Sequence, residues 1–185
     1  MIKMNTAASA IKISPLRVLV MGGPGSGTST LAATLAEQLA WRHLETDDFQ
    51  WLDKTPPFTR KVDKTTRLLN MLDALNGEQN IVVSGSIVNW GNALENAFDL
   101  VVFRVLDTSI RLQRLIERER RLYKDIDPAF IDWAAQYEQG GRPGRSRASH
   151  EAWLGQCKGK VLRLEGDLEL VLQVSLVVEA VEALS

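Results

Sequence analysis

The sequence predicts an α/β fold in which a parallel β-sheet carries helices on both faces, giving three layers. Two observations predict it. Short apolar runs that are typical of buried strands recur along the chain, and stretches with apolar residues at helical spacing separate them. Because strands that alternate with helices build parallel sheets with right-handed crossovers, few topologies fit this order.

The first unit of the pattern is a strand, a glycine-rich turn and a helix. Residues 16–21 are apolar apart from Arg17 and run directly into glycines, which predicts a buried strand that ends in a tight turn. From Thr28 onward, leucine recurs at every fourth position among many alanines. That spacing and composition predict a helix.

The same alternation continues to the end of the chain. A second short strand is predicted at 43–46, and a helix through 68–75 is expected to end at Gly77. Further strands are predicted at 81–83, 100–105 and 161–164. We expect each of these three to be apolar enough for burial on both faces.

Composition limits the classes of protein. Apolar residues make up 45% of the 185, and 22 Lys and Arg face 23 Asp and Glu, which argues against binding nucleic acid or a membrane through bulk positive charge. The single Cys157 excludes an intrachain disulfide and fits a reducing cytosol, so we expect a cytoplasmic protein. No apolar run reaches the length of a membrane-spanning helix. We expect a loose tail at 1–15 and one domain at 16–185.

The strongest chemical signal is the segment 22–29, which we call the glycine loop. It consists of Gly22, Gly23, Pro24, Gly25, Ser26, Gly27, Thr28 and Ser29, and Thr30 follows it. Glycines five positions apart, after a strand and before a helix, let backbone N–H groups turn inward around phosphate oxygens. Ser29 occupies the place of the hydroxyl that binds magnesium in such loops.

One position of the glycine loop departs from the phosphate-binding pattern. Thr28 stands where the pattern has lysine, so a hydroxyl replaces a full positive charge on the phosphates. A turn that binds nothing therefore stays an alternative. The dinucleotide-binding pattern of three glycines fits neither register of this segment.

The chain resembles the small P-loop kinases of the adenylate, shikimate and gluconate kinase type. The resemblance rests on the stretch 22–31, the acidic segment 45–48, the segment 84–86 and an arginine-rich helix. Within that superfamily it is similar to bacterial adenylate-kinase-like proteins in which threonine replaces the motif lysine. The resemblance implies binding of a nucleoside triphosphate and magnesium.

Two aspartates follow the predicted second strand. Asp47 and Asp48 are expected at the carboxyl edge of the sheet, where ligands bind in parallel sheets. The resemblance implies that an acidic residue here orients the acceptor hydroxyl and holds hydrated magnesium, and we assign magnesium to Ser29 and Asp47. Because the two are adjacent, only one is expected to face the site. A helix cap or a solvated turn is the alternative.

Four arginines mark one helix. Arg111, Arg114, Arg118 and Arg121 are spaced three, four and three apart, which places them on one face, with Leu112, Leu115, Ile116 and Leu122 expected on the opposite, apolar side. The resemblance implies that arginines of this helix and of a following lid clamp the nucleotide. We favour Arg118 and Arg121, together with Arg142 and Arg145 in a mobile lid around 124–147. A solvated charged face is the alternative.

These observations predict an ATP- and Mg²⁺-dependent phosphotransferase with a small-molecule or nucleotide acceptor. The segment 58–61 lies where resembling kinases bind their acceptor, and its Arg60 and Lys61 leave an anionic acceptor open. No nucleic acid or membrane partner is expected, and the oligomeric state is undecided. Two alternatives remain: a nucleotide-binding module without transfer, and a sulfonucleotide- or anion-binding relative.

Overall fold

The predicted α/β fold is confirmed. A computed structural model describes residues 14–53, 59–123, 126–140 and 145–184. Its five strands, all parallel, form one sheet in the order β2-β3-β1-β4-β5. The strands are β1 (Arg17–Gly22), β2 (Arg42–Glu45), β3 (Ile81–Ser84), β4 (Leu100–Val105) and β5 (Lys160–Glu165).

Eight helices connect or follow these strands in the described part of the chain. They are α1 (Thr28–Leu39), α2 (Thr46–Gln50), α3 (Lys64–Ala74), α4 (Asn92–Glu95), α5 (Thr108–Leu122), α6 (Pro128–Ala135), α7 (Arg147–Leu154) and α8 (Leu170–Glu182). Parallel pairing requires such crossovers, because each strand must return to the same end of the sheet.

The centre of the sheet is β1, which pairs with β3 on one side and β4 on the other. Alternate side chains of β1 enter different cores. Leu19 and Met21 pack with residues of α3, α4 and α7, whereas Val18 and Val20 pack with residues of α1 and α8. Both faces are therefore covered, which explains why β1 lacks the polar alternation of a half-exposed strand.

The expectation of burial on both faces is wrong for β5. Leu164 alone is buried there, and Val161 is exposed. The strand stands at the end of the sheet order, so only β4 pairs with it. Its Leu162 and Leu164 pack on the core beside α8, while the other face carries charged side chains.

Every strand begins and ends within one residue of its predicted bounds, and Thr46, predicted as the end of the second strand, belongs to α2. The order of elements places the carboxyl ends of β1, β2, β3 and β4 at one edge, beside the glycine loop. No helix in the described ranges is long and apolar enough to cross a membrane. Most of the expected tail, 1–13, lies outside the residues described.

Candidate functional site

The glycine loop connects the end of β1 to the start of α1, as its sequence predicts. Gly25 and Gly27 have φ angles of 79° and 85°, in the left-handed region that favours glycine. The amide of Ser26 donates to the carbonyl of Gly23 at 3.1 Å, which closes the turn. Gly27 is the N-cap of α1 and has no side chain to cap the helix. The exposed N–H groups of a helix start are suited to binding an anion.

An open cavity of about 590 Å³ lies beside this helix start. We call it the loop cavity. It is lined by the predicted residues Gly25, Gly27, Thr28, Ser29, Thr30, Arg118 and Arg121, together with Arg104, Arg114, Leu115 and the segment 167–170 and Gln173. The structure thus brings the first turn of α1 and three arginines of α5 to one concave surface.

Of the four arginines predicted on one face of α5, Arg111 is buried and the other three are at least partly exposed. Arg114 pairs with Asp167, and Arg118 pairs with Glu119 at 2.8 Å, and the Nη1 atom of Arg114 lies 3.9 Å from the position that a Cβ on Gly27 would take. Arg121 is exposed at the rim of the cavity. Leu122, predicted on the apolar side, is 56% exposed, because the buried stripe runs through residues 111, 115 and 119 instead.

Arg111 is buried, with 1% of its surface exposed. Its Nη1 donates to the carbonyl of Pro24 at 3.0 Å and its Nε donates to that of Leu106 at 3.2 Å. The guanidinium also stacks on the ring of Tyr137 and lies 3.7 Å from Glu138. Burial lowers the pKa of this guanidinium, although the Glu138 carboxylate opposes the shift. The hydrogen bond from Arg111 to Pro24 therefore supports the conformation of the glycine loop.

A second arginine is buried at the site and was not predicted from the sequence. Arg104 is 2% exposed, lines the loop cavity, and donates from Nε to the carbonyl of Ser26 at 3.2 Å. Its signal in the sequence is a single charged residue within the otherwise apolar run 100–105. A charged side chain is rarely buried unless hydrogen bonds or an ion pair offset the free-energy cost of its desolvation.

Asp47 and Asp48 lie in the first turn of α2, at the carboxyl edge of the sheet where they were predicted. Both side chains are exposed, but they face different groups. Burial lowers the pKa of Arg145, and the carboxylate of Asp47 opposes that shift. Asp48 acts instead on His43, whose pKa is lowered mainly by burial. The expectation that only one of them faces the site stays a prediction.

A buried chain of hydrogen bonds joins Ser86, which follows β3, to Tyr137, which follows α6. His150 is fully buried, with Nε2 3.1 Å from the Ser86 hydroxyl and Nδ1 2.9 Å from the Tyr137 hydroxyl. Burial and nearby cations lower the pKa of His150 to about 3, so the ring is neutral at physiological pH. Tyr137 packs so closely on Gly23 that a Cβ there would lie 2.9 Å from its ring. This contact, which no pattern in the sequence predicted, holds Tyr137 against the glycine loop.

Two other expectations concern the acceptor and the lid. Thr59 and Arg60 both bond to Asp53, and Lys61 lies over the Trp51 ring; Phe58 is outside the described residues. Arg142 is also outside them, as are 124 and 125. Of the favoured lid arginines, the structure therefore describes Arg145 alone.

Comparison with known proteins shows the family. The chain is 37% identical over 158 residues to the uncharacterized protein YqaC of Bacillus subtilis, covering 80% of this chain and 87% of YqaC. It is 28% identical over 120 residues to the cytidylate kinase of Archaeoglobus fulgidus, covering 56% of this chain and 62% of that kinase. No protein-family model matches the chain.

A solved structure extends the comparison to the fold. The shikimate kinase of Acinetobacter baumannii, in complex with shikimate, aligns with a TM-score of 0.60 over 94% of this chain and 96% of that one. Their sequence identity is 14%, so this match shows the fold alone. Taken with the two sequence relatives, it supports one conclusion: the chain belongs to the family of YqaC, within the superfamily of P-loop nucleotide and small-molecule kinases.

Proposed function

We propose that this protein is an ATP- and Mg²⁺-dependent phosphotransferase that acts on a small-molecule or nucleotide acceptor. The observation that carries the proposal is the loop cavity, where the start of α1 and the guanidinium groups of Arg114, Arg118 and Arg121 line one surface. Backbone amides and guanidinium groups are the donors that bind phosphate best. Phosphoryl transfer needs little else than such positioning and charge neutralisation.

The residues present fit a magnesium ion shared with phosphate. Among the described residues, no group of three or more His, Cys, Asp or Glu side chains is placed to hold a metal. Mg²⁺ in kinases typically uses one or two protein ligands, substrate phosphates and water, and the exposed Ser29 hydroxyl and Asp47 carboxylate suit that role. Bound magnesium would neutralise charge on the phosphate chain.

The lid segment would exclude water from the reaction. In the structure Tyr137 packs on Gly23, and burial lowers the pKa of Arg145 against the effect of the Asp47 carboxylate. We propose that residues 124–147 open to admit the nucleotide and close again, with Arg142 and Arg145 approaching the transferred phosphate. Closure of this kind strengthens electrostatic interactions by removing water.

The relatives guide the choice of acceptor. One is a cytidylate kinase, and a structural neighbour is a shikimate kinase with its acceptor bound. Both nucleoside monophosphates and small hydroxy acids therefore belong in an acceptor panel. Asp47, at the carboxyl edge of β2, is our candidate for the residue that orients the acceptor hydroxyl.

Thermal unfolding tests nucleotide binding, because a ligand that binds only the folded chain raises the melting temperature. We expect ATP with Mg²⁺ to raise the melting temperature more than ATP alone. In a separate assay of ADP release, we expect one member of the acceptor panel to be phosphorylated. No shift with any nucleoside triphosphate would contradict the proposal.

A second candidate is nucleotide binding without transfer. Thr28 favours it, because the missing lysine removes charge that would stabilise the transferring phosphate. A clear thermal shift with ATP, and no ADP release above the rate without acceptor across the whole panel, would select this candidate.

A further inference from the structure

Arg104 occupies an unusual position for a cation. It is the fifth residue of β4, in register with Gly22 of β1, and it points to the sheet face that carries α1 and α8, like Leu100 and Val102. The carbonyl oxygen and the Cβ of Arg104 lie 2.7 and 3.0 Å from the position that a Cβ on Gly22 would take. A side chain at position 22 would therefore clash with Arg104, and glycine there lets Arg104 pack against the glycine loop.

The guanidinium of Arg104 is only partly satisfied. Its Nε donates to the Ser26 carbonyl, whereas its Nη1 is buried and has no hydrogen-bond partner among the described residues. Burial lowers the pKa of this guanidinium, the nearby Arg114 cation lowers it further, and Asp167 acts in the opposite direction. An unpaired buried N–H and a neighbouring like charge both destabilise the protein without ligand. A bound anion would remove both costs.

Unlike Arg104, the other arginines near the loop cavity are bonded to protein groups or open to solvent. Arg111 bonds two carbonyls and the Thr108 hydroxyl, and Arg114 and Arg118 form ion pairs. Among the buried side-chain nitrogens of the described residues, the Nη1 of Arg104 is the one at the loop cavity that lacks a partner.

We propose that Arg104 supplies positive charge to the phosphate chain of the bound nucleotide, in place of the lysine that Thr28 replaces. The proposal rests on the nucleotide binding proposed above. The charge comes from β4, behind the glycine loop, instead of from the first turn of α1. The positive charge of Arg104 would thus substitute for that of the lysine. Its unpaired Nη1–H is a buried donor for a phosphate oxygen, in addition to the exposed guanidinium groups of α5.

Binding of adenosine, AMP, ADP and ATP to the wild type and to Arg104→Met tests this role. Methionine fills a similar volume without charge, and such replacements of buried cations are often tolerated by the fold. We expect unchanged adenosine affinity and a loss for the phosphorylated ligands that reaches about 10- to 100-fold for ATP, the value of a hydrogen bond to a charged group. Equal affinity changes for adenosine and ATP would overturn the proposal.

Arg17→Gln is the matched control. Arg17 also has a buried Nε without a partner, but it lies at the opposite end of β1 and donates to Leu75. We expect this variant to bind all four ligands as the wild type does. Should Arg104→Met not fold, Arg104→Gln provides the same comparison with a polar side chain.

A double-mutant cycle distinguishes a direct role from a structural one. We expect Thr28→Lys to restore ATP affinity in the Arg104→Met background and to raise it much less in the wild type, because the two cations would serve the same phosphates. Equal gains in both backgrounds would show that Arg104 acts only through the fold. If the wild type binds no nucleotide at all, the proposed function fails; if it binds and the cycle is additive, only the role of Arg104 fails.

Discussion

The side chain of Arg111 donates a 3.0 Å hydrogen bond to the carbonyl oxygen of Pro24, so that a residue of α5 fixes the tip of the glycine loop. The two residues are 87 positions apart, and the bond is buried. It ties the conformation of the loop to the position of the helix that carries the cavity arginines. Movement of α5 would therefore change the shape of the phosphate site.

We expect Arg111→Met to destabilise the fold. The substitution leaves the carbonyls of Pro24 and Leu106 without their buried donor, and each unsatisfied acceptor costs about 1–3 kcal/mol. Arg114→Met is the control, since its ion pair with Asp167 is largely exposed and is worth less than about 1 kcal/mol. Urea unfolding measures both. Similar losses in the two variants would show that the Arg111 bonds do not support the loop.

The left-handed conformation of Gly25 leads to a second prediction. Gly25 has a φ of 79°, and a Cβ there would collide with the backbone carbonyl of Arg111. We expect Gly25→Ala to abolish the thermal shift with ATP and to cost more than the roughly 1–3 kcal/mol of backbone strain alone. Gly77→Ala is the control, because Gly77 has a φ of 127° with open space around it. An ATP shift in Gly25→Ala equal to that of the wild type would contradict this reading of the loop.

The periodicity of apolar residues was sufficient to predict the fold class, because in most strands the local pattern agrees with the burial that the tertiary structure produces. The runs at 81–83 and 100–105 became strands within one residue of their predicted ends. It failed for β5, since the position of a strand within a sheet depends on long-range order that its own residues do not encode. The result is that Val161 is exposed although the run around it is apolar.

The residues of the site also divide into those that local sequence predicts and those that only tertiary packing brings together. The glycine loop is a contiguous motif, and its position followed directly from the residues. Arg104, Tyr137 and His150 reach the site from separate elements through buried contacts, which no local spacing reveals. Arg111 shows the intermediate case: helical spacing placed it with the other arginines, but its depth depends on how α5 packs. Residues 111, 115 and 119 share one stripe of the helix, because four residues advance it by only about 40° more than one turn.

The neutral, buried His150 makes stability depend on pH. Its pKa is lowered to about 3 in the folded chain, while an unfolded histidine has a pKa near 6.5. Between these values the unfolded chain binds a proton that the folded chain does not, so stability falls as the pH falls below about 6.5. We expect a slope of up to about 1.4 kcal/mol per pH unit. Urea unfolding at several pH values measures it.

His150→Gln checks the source of that slope. It removes the proton uptake at 150 but keeps a polar side chain for Ser86 or Tyr137. The pKa of His43 is lowered in the same direction, so the slope is expected to decrease and not to vanish. Glu151 acts in the same direction, because its pKa is lowered from 4.5 to about 2. The slope due to His150 is therefore measured between about pH 4.5 and 6.5, above the range in which Glu151 titrates. An unchanged slope in His150→Gln would show that another group causes the pH dependence.

The two adjacent aspartates are expected to differ in their effect on magnesium. Asp47 acts on Arg145 of the lid segment and Asp48 on His43, so we expect only Asp47 to face a metal bound at Ser29. In the wild type, we expect Mg²⁺ to raise the affinity for ATP. We expect Asp47→Asn to reduce that gain about tenfold, the usual effect of losing one charged hydrogen-bonding partner. Asp48→Asn, with the same change in charge, should keep the full gain. Calorimetric titration of ATP with and without Mg²⁺ measures this gain in affinity directly. Equal losses in both variants would mean a general effect of charge. A larger loss in Asp48→Asn would show that Asp48, and not Asp47, faces the metal.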